Sequence, residues 1–164
     1  MIPQWYALVV RSNRAFKIRD RLQELGIQEF LPTFTETIQW SDRVKTTERQ
    51  LFPGYLFAKL NGDASSVLNL PGVIQLLPSN IKPTSIDDQE ISSLRTIIAS
   101  QVPVQPCVYV AAQKVTIRSG PFEGVSGVVI RTRGAVQVIV GIEALGKAVK
   151  LTVDAADLEV ENTI

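Results

Sequence analysis

A run of hydrophobic residues from Tyr55 to Ala58 follows the turn signal Pro53-Gly54 in the first part of the chain. Consecutive aromatic and aliphatic residues bounded by a turn predict a β-strand that is apolar on both faces. Such a strand belongs in the middle of a sheet, where a helix of the same domain packs on one face. The other face needs a second layer or is kept for a partner, and the sequence leaves both interpretations open.

The segments around this strand predict a sheet flanked by helices. Residues 5–10 are uniformly apolar, as in a buried strand. Residues 15–25 repeat apolar positions at helical spacing up to Gly26, where a helix usually stops. Residues 73–77 add a short strand, and a capping box at 87–90 begins a last helix. The predicted order, β-α-β-β-β-α-β-α, is typical of an α+β sandwich.

An alternating stretch over residues 27–40 predicts a strand with one polar face. Phe34, Ile38 and Trp40 lie on its apolar face, and threonines lie on the other. A proline within the stretch places the strand at an edge or a bulge. Ser41-Asp42-Arg43 has the composition of a hairpin tip, so a basic partner strand is expected to follow it.

The composition changes after residue 99. Residues 100–110 contain two prolines and no charged residue, which is typical of a linker. From residue 111 to 164, β-branched residues punctuated by glycines predict a small five-stranded β-barrel. The predicted fold class is therefore α+β. An N-terminal α/β sandwich over residues 1–99, with a four- to five-stranded mainly antiparallel sheet, precedes the linker and the barrel.

The composition excludes several classes of function. The chain has no histidine and one cysteine, so an imidazole base, an internal disulfide and a zinc site are not expected. Glycines 120, 124 and 127 lack the surrounding pattern of a nucleotide loop and are interpreted as turn residues. No apolar run approaches membrane-spanning length. We therefore expect a soluble cytoplasmic protein that is not an enzyme and needs no metal or cofactor.

Three segments of residues 1–99 resemble the N-terminal domain of the NusG family of transcription elongation factors. They are Trp5-Tyr6-Ala7-Leu8, the helix opening Ser12-Asn13, and the run from Leu51 to Phe57. The resemblance implies that this domain binds RNA polymerase through an apolar cavity that receives the clamp helices of the largest subunit. Phe52, Tyr55 and Phe57 stand at positions that make this contact in the family, with Trp5 and Tyr6 nearby. Ser65 and Ser66 lie where some members carry a polar run that also contacts polymerase.

The distribution of charge indicates a second candidate interaction surface. The first sixty residues hold nine Lys and Arg against six acids, although the whole chain carries a net charge of only +1. Arg14, Lys17 and Arg21 share one flank of the predicted first helix, and a solvated face is the ordinary interpretation of such a flank. The resemblance implies that these three residues and Arg11 face upstream or non-template DNA.

The segment from Lys114 to Gly127 resembles the KOW motif that opens the C-terminal barrel of the same family. The resemblance implies that the barrel recruits a small-subunit ribosomal protein, the termination factor Rho, or both. The matching contact positions are Phe122, Val125, Leu145 and Lys147.

The pair Leu56-Phe57 is similar to specialised paralogues of the RfaH, LoaP and UpxY groups, which implies an operon-restricted antiterminator. We expect the protein to be a monomer. Some specialised members hide the C-terminal domain as a helical hairpin. Here the β-branched residues between 126 and 153 favour strands, so we expect a formed barrel that leaves Tyr55 and Phe57 accessible. The alternative is a KOW-containing RNA- or ribosome-binding protein, which predicts a much more basic chain.

Overall fold

The computed structural model describes residues 2–161, apart from the side chain of Thr132. Its backbone contacts form two compact units, the first ending at Ile86 and the second beginning at Asp87. Both units combine antiparallel sheets with a few helices, which confirms the predicted α+β class. No helix within the described residues has the length and apolar character to cross a membrane.

The first unit contains two helices and seven strands among its described residues. Its elements are β1 (Gln4–Val10), a 3-10 turn (Ser12–Arg14), α1 (Ala15–Glu24), β2 (Glu29–Phe30), β3 (Thr33–Gln39), β4 (Val44–Gln50), β5 (Tyr55–Leu60), α2 (Ser65–Leu68), β6 (Val73–Leu76) and β7 (Ser85–Ile86). The main sheet has the order β2-β5-β1-β6, and β7 also pairs with β1. The apolar run from Tyr55 to Ala58 therefore lies between two neighbouring strands, as the sequence predicts.

One face of this sheet is covered by α1 because its apolar residues recur at helical spacing. Ile18 and Leu22 pack with Leu8 and Leu56 of the sheet. The helix ends as predicted at Gly26, which has a φ of +73°. The N–H of Gly26 donates to the Gln23 carbonyl, and the next N–H along the chain donates to the Leu22 carbonyl. This pair of bonds is the Schellman motif that closes many helices.

The start of α1 is not capped by the side chain of Ser12 or Asn13. Neither the helix nor the 3-10 turn before it has a side-chain capping hydrogen bond. The 3-10 turn supplies the entry instead, and the Arg14 N–H donates to the Arg11 carbonyl at 2.9 Å.

The alternating stretch predicted over residues 27–40 is two strands rather than one. Its first part, β2, joins the main sheet, whereas β3 pairs with β4 as a separate two-stranded sheet, the β3–β4 ribbon. The break falls at Pro32, which has no N–H to donate to a ladder. The hairpin tip is confirmed, since the Trp40 N–H donates to the Arg43 carbonyl at 2.7 Å across Ser41 and Asp42.

The second unit joins one helix to one sheet. Its elements are α3 (Asp88–Ser100), β8 (Gln105–Val108), β9 (Gln113–Ile117), β10 (Ser126–Thr132), β11 (Ala135–Ile142), β12 (Lys147–Val153) and β13 (Leu158–Val160), with 3-10 turns at Glu143–Leu145 and Ala155–Asp157. The antiparallel strand order is β13-β9-β10-β11-β12-β8. This sheet fits a KOW-like domain, and residues 126–153 form strands, as expected, rather than a helical hairpin.

Two glycines of the KOW-like segment adopt the predicted turn conformation, and the third does not. Gly120 and Gly124 have φ values of +89° and +87°. Gly127 instead lies in β10, where a Cβ atom would collide with the backbone and side chains of β11. Close approach of two strands, not a turn, is therefore what requires a glycine at this position.

The boundary between the two units differs from the expected division at residues 100–110. The helix α3 groups with the second unit, because its polar side chains bond to the loops of the sheet. Part of the expected linker is β8, which pairs with β12 as a sixth strand. The division of the chain into independently folding domains at 1–99 and 111–164 stays a prediction.

Candidate interaction surfaces

Three of the residues matched to polymerase contact share one face of the first sheet. In the register of β1 and β5, Trp5 lies opposite Lys59, Ala7 opposite Phe57, and Val9 opposite Tyr55. Because directly opposed residues share a face, Trp5, Phe57 and Tyr55 lie together. This face is opposite to the one that α1 covers. We call these three residues the aromatic sheet face.

The exposure of the aromatic sheet face is uneven. Trp5 is 3% exposed and Phe57 is 0% exposed, whereas Tyr55 is half-buried. The Phe57 ring stacks on Phe30, with centroids 6.0 Å apart and planes inclined by 28°. The expectation that Phe57 is accessible is therefore wrong. Its ring packs inside the first unit against Phe30 of β2.

One cation shares this face, although sequence reasoning did not include it among the contact residues. The ammonium group of Lys59 lies 5.9 Å from the centroid of the Trp5 ring, within reach of a cation–π interaction. The signal was available, since Lys59 has the same strand parity as Tyr55 and Phe57. Its charge therefore stands beside the aromatic sheet face.

The remaining residues of the polymerase set lie elsewhere in the first unit. Tyr6 packs against the core beneath α1, on the opposite face of the sheet. Phe52 is buried in the turn that precedes β5, where its carbonyl accepts from the Tyr55 N–H at 3.2 Å. Ser65 and Ser66 are exposed on α2. Both the N–H and the hydroxyl of Ser65 donate to Asp63, and these bonds lower the pKa of that carboxyl.

The four cations matched to DNA contact are all exposed at or near α1. Arg11 precedes the helix, and its N–H donates to the carbonyl of Gly72 at 2.8 Å. The stem of Arg14 also lies against this glycine, where an added Cβ would come within 2.7 Å of the Arg14 Cβ. Arg21 pairs with Glu24 at 2.6 Å, which offsets part of its charge. All four cations therefore lie on or just before α1.

The barrel residues matched to partner binding fall into two loops of the second unit. Phe122 and Val125 belong to the turn between β9 and β10, and both are buried. Leu145 is half-buried in the 3-10 turn after β11, and the exposed Lys147 begins β12. Only Leu145 and Lys147 therefore present accessible surface.

Helix α3 bonds to both of these loops. The Gln89 side-chain amide donates to the Gly124 carbonyl at 3.2 Å. The Ser126 N–H donates to the Ser93 hydroxyl at 3.0 Å, and Ser93 is only 1% exposed. The Glu143 N–H donates to the Glu90 carboxylate at 2.8 Å. These contacts escaped sequence reasoning, because their partners are 33 to 53 residues apart in the chain.

The same contacts place ionisable groups close together. Burial raises the pKa of the Glu90 carboxyl, although backbone hydrogen bonds from Glu143 and Asp87 oppose the shift. Burial also raises the pKa of the Tyr109 phenol, and the negative charges of Glu143 and Glu90 add to this effect. No group of three acids, histidines or cysteines able to hold a metal ion lies within the described part of the chain.

Comparison with known proteins gives matches that extend beyond the first unit of the chain. A family model described as "Transcription termination factor nusG" matches residues 3–95, more than half of the chain. The transcription termination/antitermination protein NusG of Helicobacter pylori is 26% identical over 132 residues, covering 72% of this chain and 75% of that protein. The NusG protein of Rickettsia bellii is 27% identical over 139 residues, covering 77% and 73%.

A solved structure is also similar in fold. It is described as "Domain interaction in Thermotoga maritima NusG" and matches with a TM-score of 0.50. Its sequence identity is 22%, and the match covers 96% of each chain. At this identity the likeness shows the fold alone.

Proposed function

The chain belongs to the NusG family of transcription termination and antitermination factors, and we propose that its first unit binds RNA polymerase while its second unit recruits a further protein. Proteins of this family are transcription factors rather than enzymes. The observation that carries the proposal is the aromatic sheet face, with half-buried Tyr55 at its accessible end. The clamp helices of the largest polymerase subunit are the proposed partner.

The aromatic sheet face suits a helical partner for physical reasons. Apolar side chains that recur on one side of a helix pack into an apolar surface on a folded domain. A half-buried tyrosine contributes ring area to such a contact and keeps its hydroxyl for a polar group. Lys59 lies at the other end of this face, with its ammonium group near the Trp5 ring. Trp5 and Phe57 support Tyr55 from the core.

The test is binding of full-length variants to core RNA polymerase. Tyr55→Ala removes the accessible ring, whereas Tyr55→Phe keeps the ring and removes only the hydroxyl. Loss of an aromatic anchor at an interface costs ~2 kcal/mol, so we expect the alanine variant to bind about 30-fold more weakly. The phenylalanine variant is expected to bind nearly as the wild type does. Wild-type affinity in the alanine variant, with an unchanged melting temperature, would contradict the proposal.

We also propose that the cations at Arg11, Arg14, Lys17 and Arg21 contact upstream or non-template DNA beside the polymerase. Their exposure and their common position at α1 support this role. Three of them repeat at helical spacing, so they present charge in a line along which phosphates can lie. The ion pair between Arg21 and Glu24 is exposed and easily exchanged for a phosphate contact.

For the second unit, we propose that a small-subunit ribosomal protein or Rho binds around Leu145 and Lys147. These two residues are the accessible members of the barrel set, whereas Phe122 and Val125 are buried. Lys147→Glu should weaken the complex with whichever of the two proteins binds. Lys114→Glu is a matched control, because Lys114 is also exposed on a strand of this unit. Equal weakening by both variants would indicate a general charge effect instead.

The proposed scope is operon-restricted antitermination by a monomer in the cytoplasm. Deletion of the gene should then change transcripts of a few operons, whereas loss of a general factor changes many. The rival interpretation, a KOW-containing RNA- or ribosome-binding protein, requires many more cations than a net charge of +1 provides. Ribosome co-sedimentation without polymerase binding would favour the rival.

A further inference from the structure

The β3–β4 ribbon carries an exposed line of aromatic residues next to a line of cations. In its register, Phe34 lies opposite Arg49 and Ile38 opposite Lys45. Trp40 and Arg43 face each other at the tip. Phe34 is 43% exposed and Trp40 is 49% exposed, which is high for rings of this size. We call this side the aromatic–basic face, made up of Phe34, Glu36, Ile38, Trp40, Arg43, Lys45, Thr47 and Arg49.

The other side of the ribbon is polar and is tied to the rest of the first unit. It carries Thr35, Thr37, Thr46 and Glu48. The Glu48 carboxylate accepts from the Arg19 guanidinium of α1 at 3.2 Å. Because this side is held towards α1, the aromatic–basic face is directed away from the helix. The exposure of the aromatic–basic face therefore does not result from a missing contact with α1.

We propose that the aromatic–basic face binds single-stranded DNA, an inference that rests on the proposed function, in which the first unit works beside opened DNA. Exposed aromatic rings stack on unpaired bases, and neighbouring cations hold the phosphates. In a duplex the base faces already stack on one another, so two exposed rings would find no partner there. Three cations against Glu36 give this face a positive balance.

The detailed geometry of the tip fits this occupant. The guanidinium of Arg43 lies 5.5 Å from the Trp40 ring centroid, so one side of the ring is already occupied by a cation. The other side is left for a base, and Arg43 remains close enough to pair with the adjoining phosphate. Arg49 is held by Glu36, whereas Lys45 is exposed between the two aromatic positions.

The distribution of hydroxyl and amide groups favours DNA over RNA. A protein distinguishes RNA through hydrogen bonds to the 2′-hydroxyl. Most threonines of the ribbon, together with Gln39 and Gln50, lie on the polar side. Thr47 is the hydroxyl-bearing residue of the aromatic–basic face within the two strands, and it is half-buried. This face is therefore suited to contact bases by stacking and phosphates by charge, rather than the 2′-hydroxyl of the sugar.

Trp40 reports directly on the proposed contact in the full-length protein. The chain has two tryptophans, and Trp5 is buried, so a change in fluorescence on adding an oligothymidine of about 12 nucleotides arises mainly at Trp40. We expect the oligothymidine to quench the tryptophan fluorescence. Trp40→Phe should reduce this quenching, because it removes the tryptophan that reports on the contact. In anisotropy with a labelled oligonucleotide, Trp40→Ala is expected to weaken binding at least about fivefold. Unchanged affinity in Trp40→Ala would overturn the proposal.

Two substitutions separate a specific face from general electrostatics. Lys45→Gln and Lys114→Gln each lower the net charge by one, but Lys45 lies on the aromatic–basic face and Lys114 is an exposed residue of the second unit. Lys45→Gln should weaken binding and reduce the slope of log affinity against log salt by about 0.7. Lys114→Gln should leave affinity within about twofold of the wild type. Equal losses in the two variants would overturn the proposal.

Three other probes test whether a different class of ligand binds the aromatic–basic face. A DNA hairpin with a duplex stem of adenine–thymine pairs, an oligouridine of the same length as the oligothymidine and a polyglutamate peptide are tested in parallel. Tighter binding of any of the three than of the single-stranded oligothymidine overturns the proposal. Polymerase binding is measured separately, and Trp40→Ala should retain it. A chain that binds the oligonucleotide through Trp40 but does not bind polymerase would sustain this inference and remove the proposed function.

Discussion

The hydroxyl of Ser93 accepts a hydrogen bond of 3.0 Å from the backbone N–H of Ser126, in a place almost closed to water. Ser93 is a buried polar residue on a helix whose other buried side chains are apolar. Its hydroxyl satisfies an N–H that would otherwise be left without a partner as β10 begins. The contact therefore stabilises the packing of α3 in the second unit.

Replacing Ser93 with alanine should destabilise the protein. The substitution leaves the Ser126 N–H buried without a partner, which costs about 1–3 kcal/mol. Ser92→Ala is the matched control, since Ser92 is exposed and bonds only within its own helix. Urea unfolding and amide exchange at Ser126 measure the effect. Equal stability of the two variants would show that water or another group replaces the Ser93 hydroxyl.

Glu90 should make the stability of the second unit depend on pH. Burial raises the pKa of its carboxyl above the ordinary value in the folded chain. Between the unfolded and folded pKa, the folded chain keeps a proton that the unfolded chain has released. Stability therefore falls as pH rises through this range, and it is regained as pH falls.

The pH prediction is tested with Glu90→Gln, which keeps an oxygen acceptor for the Glu143 N–H but cannot ionise. Its free energy of unfolding should fall less steeply with rising pH than that of the wild type, from pH ~4 to 7. Glu123→Gln, at an exposed position of the same unit, should parallel the wild type. If the Glu90→Gln curve also parallels the wild type, Glu90 does not titrate differently on folding.

Phe57→Ala should affect folding rather than polymerase contact alone. The ring is fully buried and stacks on Phe30, so its removal leaves a cavity that costs about 3–5 kcal/mol. Tyr55→Ala removes a half-buried ring and should cost less stability. Thermal melts of both variants measure the two losses of stability. Similar losses of stability would place Tyr55 in the core as well and remove it as an interface anchor.

Reversal of Arg14, Lys17 and Arg21 to Glu should reduce any effect of the factor on pausing when upstream duplex is present. The physical reason is lost attraction to phosphates, so the difference should shrink as salt is added. Polymerase affinity should stay near the wild-type value. Reversal of Lys114, Arg131 and Arg133, exposed cations of the second unit, is the matched control. Unchanged pause half-lives at low salt would contradict the proposed DNA contact.

A fragment of residues 87–164 should be more stable than a fragment of residues 111–164. The longer fragment keeps α3 and β8, with the bonds of Gln89, Glu90 and Ser93 and the pairing of β8 with β12. Chemical denaturation of the two fragments measures the difference. Equal stability would support the division expected from the sequence, in which the helix ends the first domain and a linker precedes the barrel.

The sequence by itself determined the elements that depend on local spacing. Ile18 and Leu22 recur at helical intervals, and Gly26 supplies the positive φ that a Schellman ending requires. The apolar run of β5 required neighbours on both sides, and the β-branched residues of 126–153 favoured strands. The NusG resemblance was recognisable for the same reason, because its motifs are short continuous runs.

Tertiary structure alone decided the pairing of distant segments. Alternation showed that Phe34 and Trp40 share a face, but not that β3 leaves the main sheet and that this face remains exposed. Nothing near Ser93 in sequence indicates Ser126, and the uncharged segment of β8 resembles a linker until β12 pairs with it. Local patterns record how a residue relates to its near neighbours. Which surfaces meet depends on the free energy of the whole packed chain, and this decides burial at Phe57 and exposure at Trp40.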